Sequence, residues 1–293
     1  MAKKLVIVLS VFVGLVSICI SGCGSPEQEV KKLIQALQHK NSQVRHAAAG
    51  ELGKIEVNAI DAVPALIQAL QDPEVRQYAT RVLARIGEDA IDAVPALIQT
   101  LQDPEEIVRV SAAEALGSIG KDAVDAIPVL IQLLQDEVAN VRSHAAEALA
   151  KIGIGAVPSL VQLLQDEVAH VCASAVWTLA KIGKDAVPAL VQALQDPDIG
   201  VRSNAAGVLG QIGKGAVDAV PALTLALQDL APEVRQYTAG ALGEIRSGAA
   251  VPALIQALQD PDTGVCYYTV EALKSIGTPE ALNAVKEYEK LRQ

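Results

Sequence analysis

Polar and apolar positions along the chain follow one recurring phrase. At residues 62–72 it reads Ala-Val-Pro-Ala-Leu-Ile-Gln-Ala-Leu-Gln-Asp, and near copies carry Pro64, Pro95, Pro128, Pro158, Pro188, Pro221 and Pro252. The prolines are spaced 31, 33, 30, 30, 33 and 31 residues apart. From Pro95 onward each is followed after fourteen residues by the second residue of a Val-Arg or Val-Cys pair: Arg109, Arg142, Cys172, Arg202, Arg235 and Cys266. The Pro64 copy is shorter and reaches Arg76 after twelve residues, and a degenerate first copy has Lys31 in the proline slot and Arg45 fourteen residues on. A fixed period of this length predicts stacked repeats rather than a compact single-core domain.

Each copy predicts two helices. Leu66, Ile67 and Leu70 stand at i, i+1 and i+4, an apolar helical stripe. Pro64 suits a first turn, whose N–H groups have no intrahelical partner. Asp72-Pro73 then punctuates, predicting an aspartate cap with proline at the first position of the second helix. That helix runs through Arg76 to Ile86 and stops at Gly87. The same stop recurs at Gly120, Gly153, Gly183, Gly213 and Gly277. No stretch sustains the period-two alternation of a strand.

The pattern resembles the HEAT-like repeats of phycobilin lyases and deoxyhypusine hydroxylases, over about residues 28–277. The resemblance implies an all-α, right-handed α-solenoid of about eight helix pairs, spanning 30–277, with a C-terminal cap helix over 278–293. It also implies that repeated aspartates and arginines, here Asp103, Asp136, Asp196, Arg109, Arg142 and Arg202, knit neighbouring repeats together. Hydroxylases of that type hold a di-iron centre with repeated His-Glu pairs. None of His39, His46, His144 and His170 is followed by Glu, so that part of the resemblance fails.

The N-terminus departs from the repeats. Lys3 and Lys4 precede the apolar run 5–20, then Ser21-Gly22-Cys23 and a polar stretch. Basic end, apolar segment and small residues before a cut describe a secretory signal peptide. The sixteen residues of the apolar run fall short of the roughly 20 that span a bilayer. Cys23 after the small pair resembles the lipobox of bacterial lipoproteins, which implies cleavage after residue 22, lipid on Cys23 and a tether over 23–29. The expected address is the bacterial envelope, and Gly24 after the lipidated cysteine implies the outer membrane, facing the periplasm. Removing the leader takes two of 24 basic residues and none of the 34 acidic ones, moving the formal charge from −10 to −12. So acidic a body argues against nucleic acid as partner.

The chemistry-bearing residues form no catalytic arrangement. Gly120-Lys121, Gly183-Lys184 and Gly213-Lys214 lack the Ser or Thr and the earlier Gly of a phosphate loop. Neither Gly-x-Ser-x-Gly nor His-Glu-x-x-His occurs. His144 and His170, in adjacent repeats with Cys172 nearby, are the one place where a metal could be sought. Cys172 and Cys266 occupy the same slot three repeats apart, too far for a disulfide. No cofactor is expected.

The copies differ in one place. Counted from the Arg or Cys slot, offsets +3, +4, +6, +7, +8 and +10 of the second helix are mostly Ala, Leu, Gly or Ile, whereas +1, +2, +5 and +9 vary. At about 100° per residue the variable offsets share one arc roughly 100° wide. In HEAT-type repeats the second helices line the concave side. The arc holds Tyr78, Arg81, Glu114, His144, Glu147, Trp177, Asn204, Tyr237, Tyr267, Tyr268 and Glu271. Only Tyr288, of the six aromatics after the leader, lies elsewhere. Tyr, Trp and Arg dominate protein–protein hot spots. The expectation is a membrane-tethered, non-catalytic scaffold binding a protein or peptide. The alternative is a lyase-like or hydroxylase-like enzyme subunit acting on a tetrapyrrole or protein.

Overall fold

The structure, a computed structural model, describes residues 26–54 and 59–291. The expected leader and the lipidation site Cys23 lie outside these residues. Two compact units divide the chain, the first ending at Ile152 and the second beginning at Gly153.

The first unit holds four helix pairs: α1 (Pro26–Ala36) with α2 (Ser42–Leu52), α3 (Val63–Ala69) with α4 (Arg76–Ile86), α5 (Val94–Thr100) with α6 (Glu106–Ile119), and α7 (Ile127–Leu133) with α8 (Ala139–Ile152). The second holds α9 (Val157–Gln162) with α10 (Ala169–Ile182), α11 (Val187–Ala193) with α12 (Ile199–Ile212), α13 (Val220–Ala226) with α14 (Pro232–Ile245), α15 (Val251–Ala257) with α16 (Thr263–Ile276), and a closing helix α17 (Pro279–Leu291). Among the described residues no strand occurs. The fold is an all-α solenoid of HEAT-like helix pairs. Helix α1 begins at Pro26, within the stretch 23–29 expected to be a tether.

Two columns of leucine make the core. Leu66, Leu97 and Leu130 from first helices meet Leu83, Leu116 and Leu149 from second helices in the first unit, all fully buried. Leu160, Leu190, Leu223 and Leu254 with Leu179, Leu209, Leu242 and Leu273 continue the arrangement inside the second unit. Each such burial is worth about 1.5–3 kcal/mol relative to exposure. Proline starts the first helix of every repeat from α3 onward, as the sequence predicts.

Consecutive second helices approach to the limit set by their backbones. A Cβ added to Gly117 would sit 3.0 Å from the Cα of Ala148, one at Gly210 3.0 Å from the Cα of Ala241, and one at Gly243 2.8 Å from the Cα of Ala272. The glycines occupy offset +8 and the alanines +6. Each of these three pairs of neighbours therefore closes by a Gly–Ala contact that no larger side chain can enter.

The glycine that stops a second helix takes a backbone form that glycine adopts cheaply: Gly87 has φ 68° and ψ −131°. Gly120, Gly183 and Gly213 repeat it. Where the slot holds Arg246 instead, the residue takes the left-handed form at φ 57°. Beyond the stop the chain makes a 3-10 turn, as at Gly87–Ala93 and Gly120–Ala126, which the sequence pattern does not signal. Its alanines Ala90, Ala93, Ala123 and Ala126 are fully buried, so the link packs as tightly as the helices it joins.

The repeated aspartates do something other than cap. The carboxylate oxygen of Asp103 accepts the N–H of Glu105, and Asp229 accepts that of Ala231, closing a turn before the second helix begins. The helix starts later, so the expected cap and the expected first-position proline are both displaced by this turn. Among the described residues, the side chains that do cap are Asn41, Asp198 and Asp262 on second helices, and Thr278 on the closing helix.

Those turn aspartates also take the arginine of the preceding repeat. Arg76 pairs with Asp103 at 2.9 Å, Arg109 with Asp136 at 3.0 Å, Arg202 with Asp229 at 2.7 Å and Arg235 with Asp260 at 2.7 Å; Arg45 pairs likewise with Asp72. The pairs of Arg109, Arg202 and Arg235 are bidentate. Nη1 of each of these arginines also donates to two carbonyls of its own turn, as Arg235 does to Asp229 and Leu230. Arg142 makes the two carbonyl bonds within its own turn. Asp196 is different: the slot that would reach it holds Cys172, and among the described residues its carboxylate has no ion pair, though it accepts the turn bond from the N–H of Asp198. Cys172 and Cys266 are both free thiols.

Asp260 is held below the usual carboxylate range by the Arg235 bonds, with burial opposing and the N–H of Asp262 assisting. A lowered folded value stabilises the protein above the unfolded value of about 3.9 and loses that contribution as pH falls through the folded value. Asp260→Ala leaves Arg235 largely buried without its partner and is expected to cost about 3 kcal/mol in denaturant unfolding at pH 7. Asp196→Ala, with no arginine to orphan, is expected to cost less than about 1 kcal/mol. The gap between Asp260→Ala and the parent should narrow below pH 4.

Candidate functional site

In the first unit, α4 projects Tyr78, Arg81 and Arg85 from its variable face. The ring of Tyr78 lies 3.9 Å from that of His46, tilted by 54°. Tyr78, Arg81 and Arg85, with Gly50, Gly53 and Lys54, line a recess of about 220 Å³. Glu114 on α6 and Glu147 on α8 are exposed. His144, half-buried, is turned onto its own helix, with Nδ1 2.8 Å from the carbonyl of Asn140.

In the second unit, Trp177 on α10 is exposed and carries the ammonium of Lys181 5.4 Å from its ring centroid. Asn204 corrects the expectation of a partner-facing residue. Its amide donates to the carbonyl of Leu164 at 2.8 Å and to Cys172 Sγ at 3.4 Å. The Cys172 thiol approaches the same carbonyl at 3.5 Å, so Cys172 and Asn204 meet at Leu164, just past the end of α9. Burial pushes the Cys172 thiol up in pKa, and Asp166 adds to the effect.

The rest of the predicted face converges on one groove. Tyr237 on α14 and Tyr267, Tyr268 and Glu271 on α16 line a groove of about 750 Å³ together with Glu244, Gln211, Gln236 and Ser275. Its floor is glycine: Gly207 and Gly210 from α12, Gly240 and Gly243 from α14. The three tyrosines are 53%, 63% and 45% exposed, so their rings stand as walls rather than filling the space. Tyr267 and Tyr268 meet edge to face, centroids 5.4 Å apart and planes at 79°. Glu271 accepts from Lys274 at 3.3 Å, and Lys274 also reaches Glu289 on α17.

Reading the arc residue by residue misses what makes this groove. A tyrosine at offset +2 comes after a glycine at offset +5 of the preceding repeat in all three cases: Gly50 with Tyr78, Gly207 with Tyr237, Gly240 with Tyr268. A Cβ on Gly207 would stand 3.4 Å from Cδ1 of Tyr237, and one on Gly240 4.0 Å from Cδ1 of Tyr268. The missing side chain is the space into which the ring leans. Elsewhere the +5 slot holds Arg81, Glu114, Glu147 or Trp177, and no tyrosine comes after it at +2. Among the described residues no three His, Cys, Asp or Glu side chains form a metal-holding group.

Comparison with solved structures finds an engineered protein at 28% identity over 89% of this chain and 82% of that one, TM-score 0.46. The complex of CpcE and CpcF of phycocyanin lyase from Nostoc sp. is 26% identical over 89% of this chain and 94% of that one, TM-score 0.36. A Kap121p mutant is similar at 15% identity with a TM-score of 0.56, covering 94% of this chain and 36% of that one, a likeness of fold alone. Comparison with curated proteins finds no match. The family profile described as HEAT repeats matches five overlapping segments, residues 30–103, 63–150, 94–180, 157–229 and 220–290. With repeats matched from residue 30 to residue 290, paired helices throughout and a variable face on the second helix of each pair, the chain belongs to the HEAT-repeat family.

Proposed function

We propose that this protein is a non-catalytic HEAT-repeat scaffold that binds a protein segment along the variable face of its second helices, held at a bacterial membrane by lipid on Cys23. One observation carries the binding reading: the glycine-floored, tyrosine-walled groove of the second unit. Exposed aromatic walls over a side-chain-free floor offer large contact area at little entropic cost, as in protein-recognition surfaces. A packing role for these tyrosines would have them buried, and they are not. The lipid reading rests on the sequence of residues 3–23 and on the acidic body, which has little attraction of its own for anionic headgroups.

A photoreactive phenylalanine analogue placed at Tyr237 in cells should give a discrete crosslinked product, whereas the same group at Gln192, exposed on first helix α11, should give none. Gly240→Gln fills the groove floor with a better helix former and should abolish the product while the protein stays folded. Equal products at both positions, or none, would refute the reading. For the tether, Cys23→Ala should leave a longer precursor and no lipid label, with the protein lost from its normal membrane fraction. Unchanged mass and fractionation would end the lipoprotein reading.

A further inference from the structure

The groove of the second unit also specifies the chemistry of its occupant. Its lining carries two carboxylates, Glu244 and Glu271, and three phenol rings, and neither lysine nor arginine. Glu244 has no ion pair among the described residues, and Glu271 is met only at the rim, by Lys274 at 3.3 Å. Tyr267 and Tyr268, nearly perpendicular, present two aromatic surfaces at a corner. Ring faces are electron-rich and attract cations, and the planar guanidinium both stacks on such faces and forks onto carboxylates.

The first unit supplies an internal contrast. The recess beside Tyr78 has the same glycine-before-tyrosine register, yet its charged lining is Lys54, Arg81 and Arg85. The register therefore makes a slot of either sign, and the sign at Tyr237 and Tyr268 is set by side chains that the register leaves free. An acidic aromatic slot repels an acidic segment and gains little from a purely apolar one, whose burial would strip water from two carboxylates.

We infer that the Tyr237–Tyr267–Tyr268 groove binds an arginine-bearing segment of a partner protein, with the guanidinium against the tyrosine faces and paired to Glu244 and Glu271. This rests on the groove being a binding site, as proposed above, and adds what it binds.

The test uses the full chain and three labelled pentapeptides, Gly-Arg-Gly-Arg-Gly and its counterparts with leucine or glutamate in place of arginine. Binding is followed by fluorescence anisotropy at an ionic strength of about 0.15 M, where distant charges are screened. The arginine peptide should bind at least tenfold tighter than either counterpart. Tyr267→Ala, a change at an exposed ring, should weaken it about fivefold, and Glu244→Gln with Glu271→Gln about tenfold. The same loss of charge placed away from the groove, Glu88→Gln with Asp122→Asn, should change affinity less than twofold. Equal weakening by both acidic pairs would reduce the effect to net charge and overturn the inference. So would tighter binding of the leucine peptide, or no binding of the arginine peptide. If Tyr237 still crosslinks to a partner under any of those outcomes, the chemistry fails and the binding face stands. If crosslinking is absent as well, both fail.

Discussion

The closeness of neighbouring second helices governs this molecule. A helix of fourteen residues with an alanine-rich face cannot bury enough surface by itself to remain folded, so each one borrows its neighbour's. Here the approach goes as far as backbone allows, with Gly243 set against Ala272 so tightly that a methyl group would intrude on the Cα. Such contact excludes large side chains from the packing face. It accounts for a chain whose apolar content is high and whose aromatic content is 2%. Tyrosines stand instead on the variable arc, where Tyr237 and Tyr268 lean over the glycines Gly207 and Gly240 of the preceding repeat.

The arginine–aspartate nodes fasten this stack at a second point, beside the turns. Each node does two jobs, since the aspartate shapes its own turn while taking the previous repeat's arginine. Its interruption at Cys172 is informative. With cysteine in place of arginine, Asp196 has no ion pair among the described residues, and the Cys172 thiol is joined at the carbonyl of Leu164 by the amide of Asn204. A position on the variable arc is thereby used for structure.

Much of this was legible in the residues. Period, proline starts and glycine stops locate the helix pairs, because backbone rules act locally and recur in every copy. The 3-10 links were not legible, since Glu-Asp-Ala-Ile-Asp-Ala after Gly87 has no period that separates a tight turn from a loop. The aspartates were misassigned as caps because an Asx turn and an N-cap use the same side chain, and only the chain path tells which amide it meets. Asn204 was misplaced because its partner, Leu164, lies forty residues away. The pairing of Gly207 with Tyr237 and of Gly240 with Tyr268 was present in the sequence. It becomes meaningful only when adjacent repeats are known to touch along that line.

The account divides one helix into a face that packing forbids to change and a face that is free to take on a partner. Two glycines of α14, three residues apart, test that division. Alanine at Gly243 would place its Cβ 2.8 Å from the Cα of Ala272, whereas alanine at Gly240 would meet nothing nearer than a tyrosine ring atom at 4.0 Å. Denaturant unfolding of the two variants beside the parent is the most direct measurement. The account predicts opposite signs, Gly243→Ala losing about 2 kcal/mol through overpacking and Gly240→Ala gaining about 0.5–1 kcal/mol from helix propensity. Equal shifts for both, or a gain at Gly243, would contradict it.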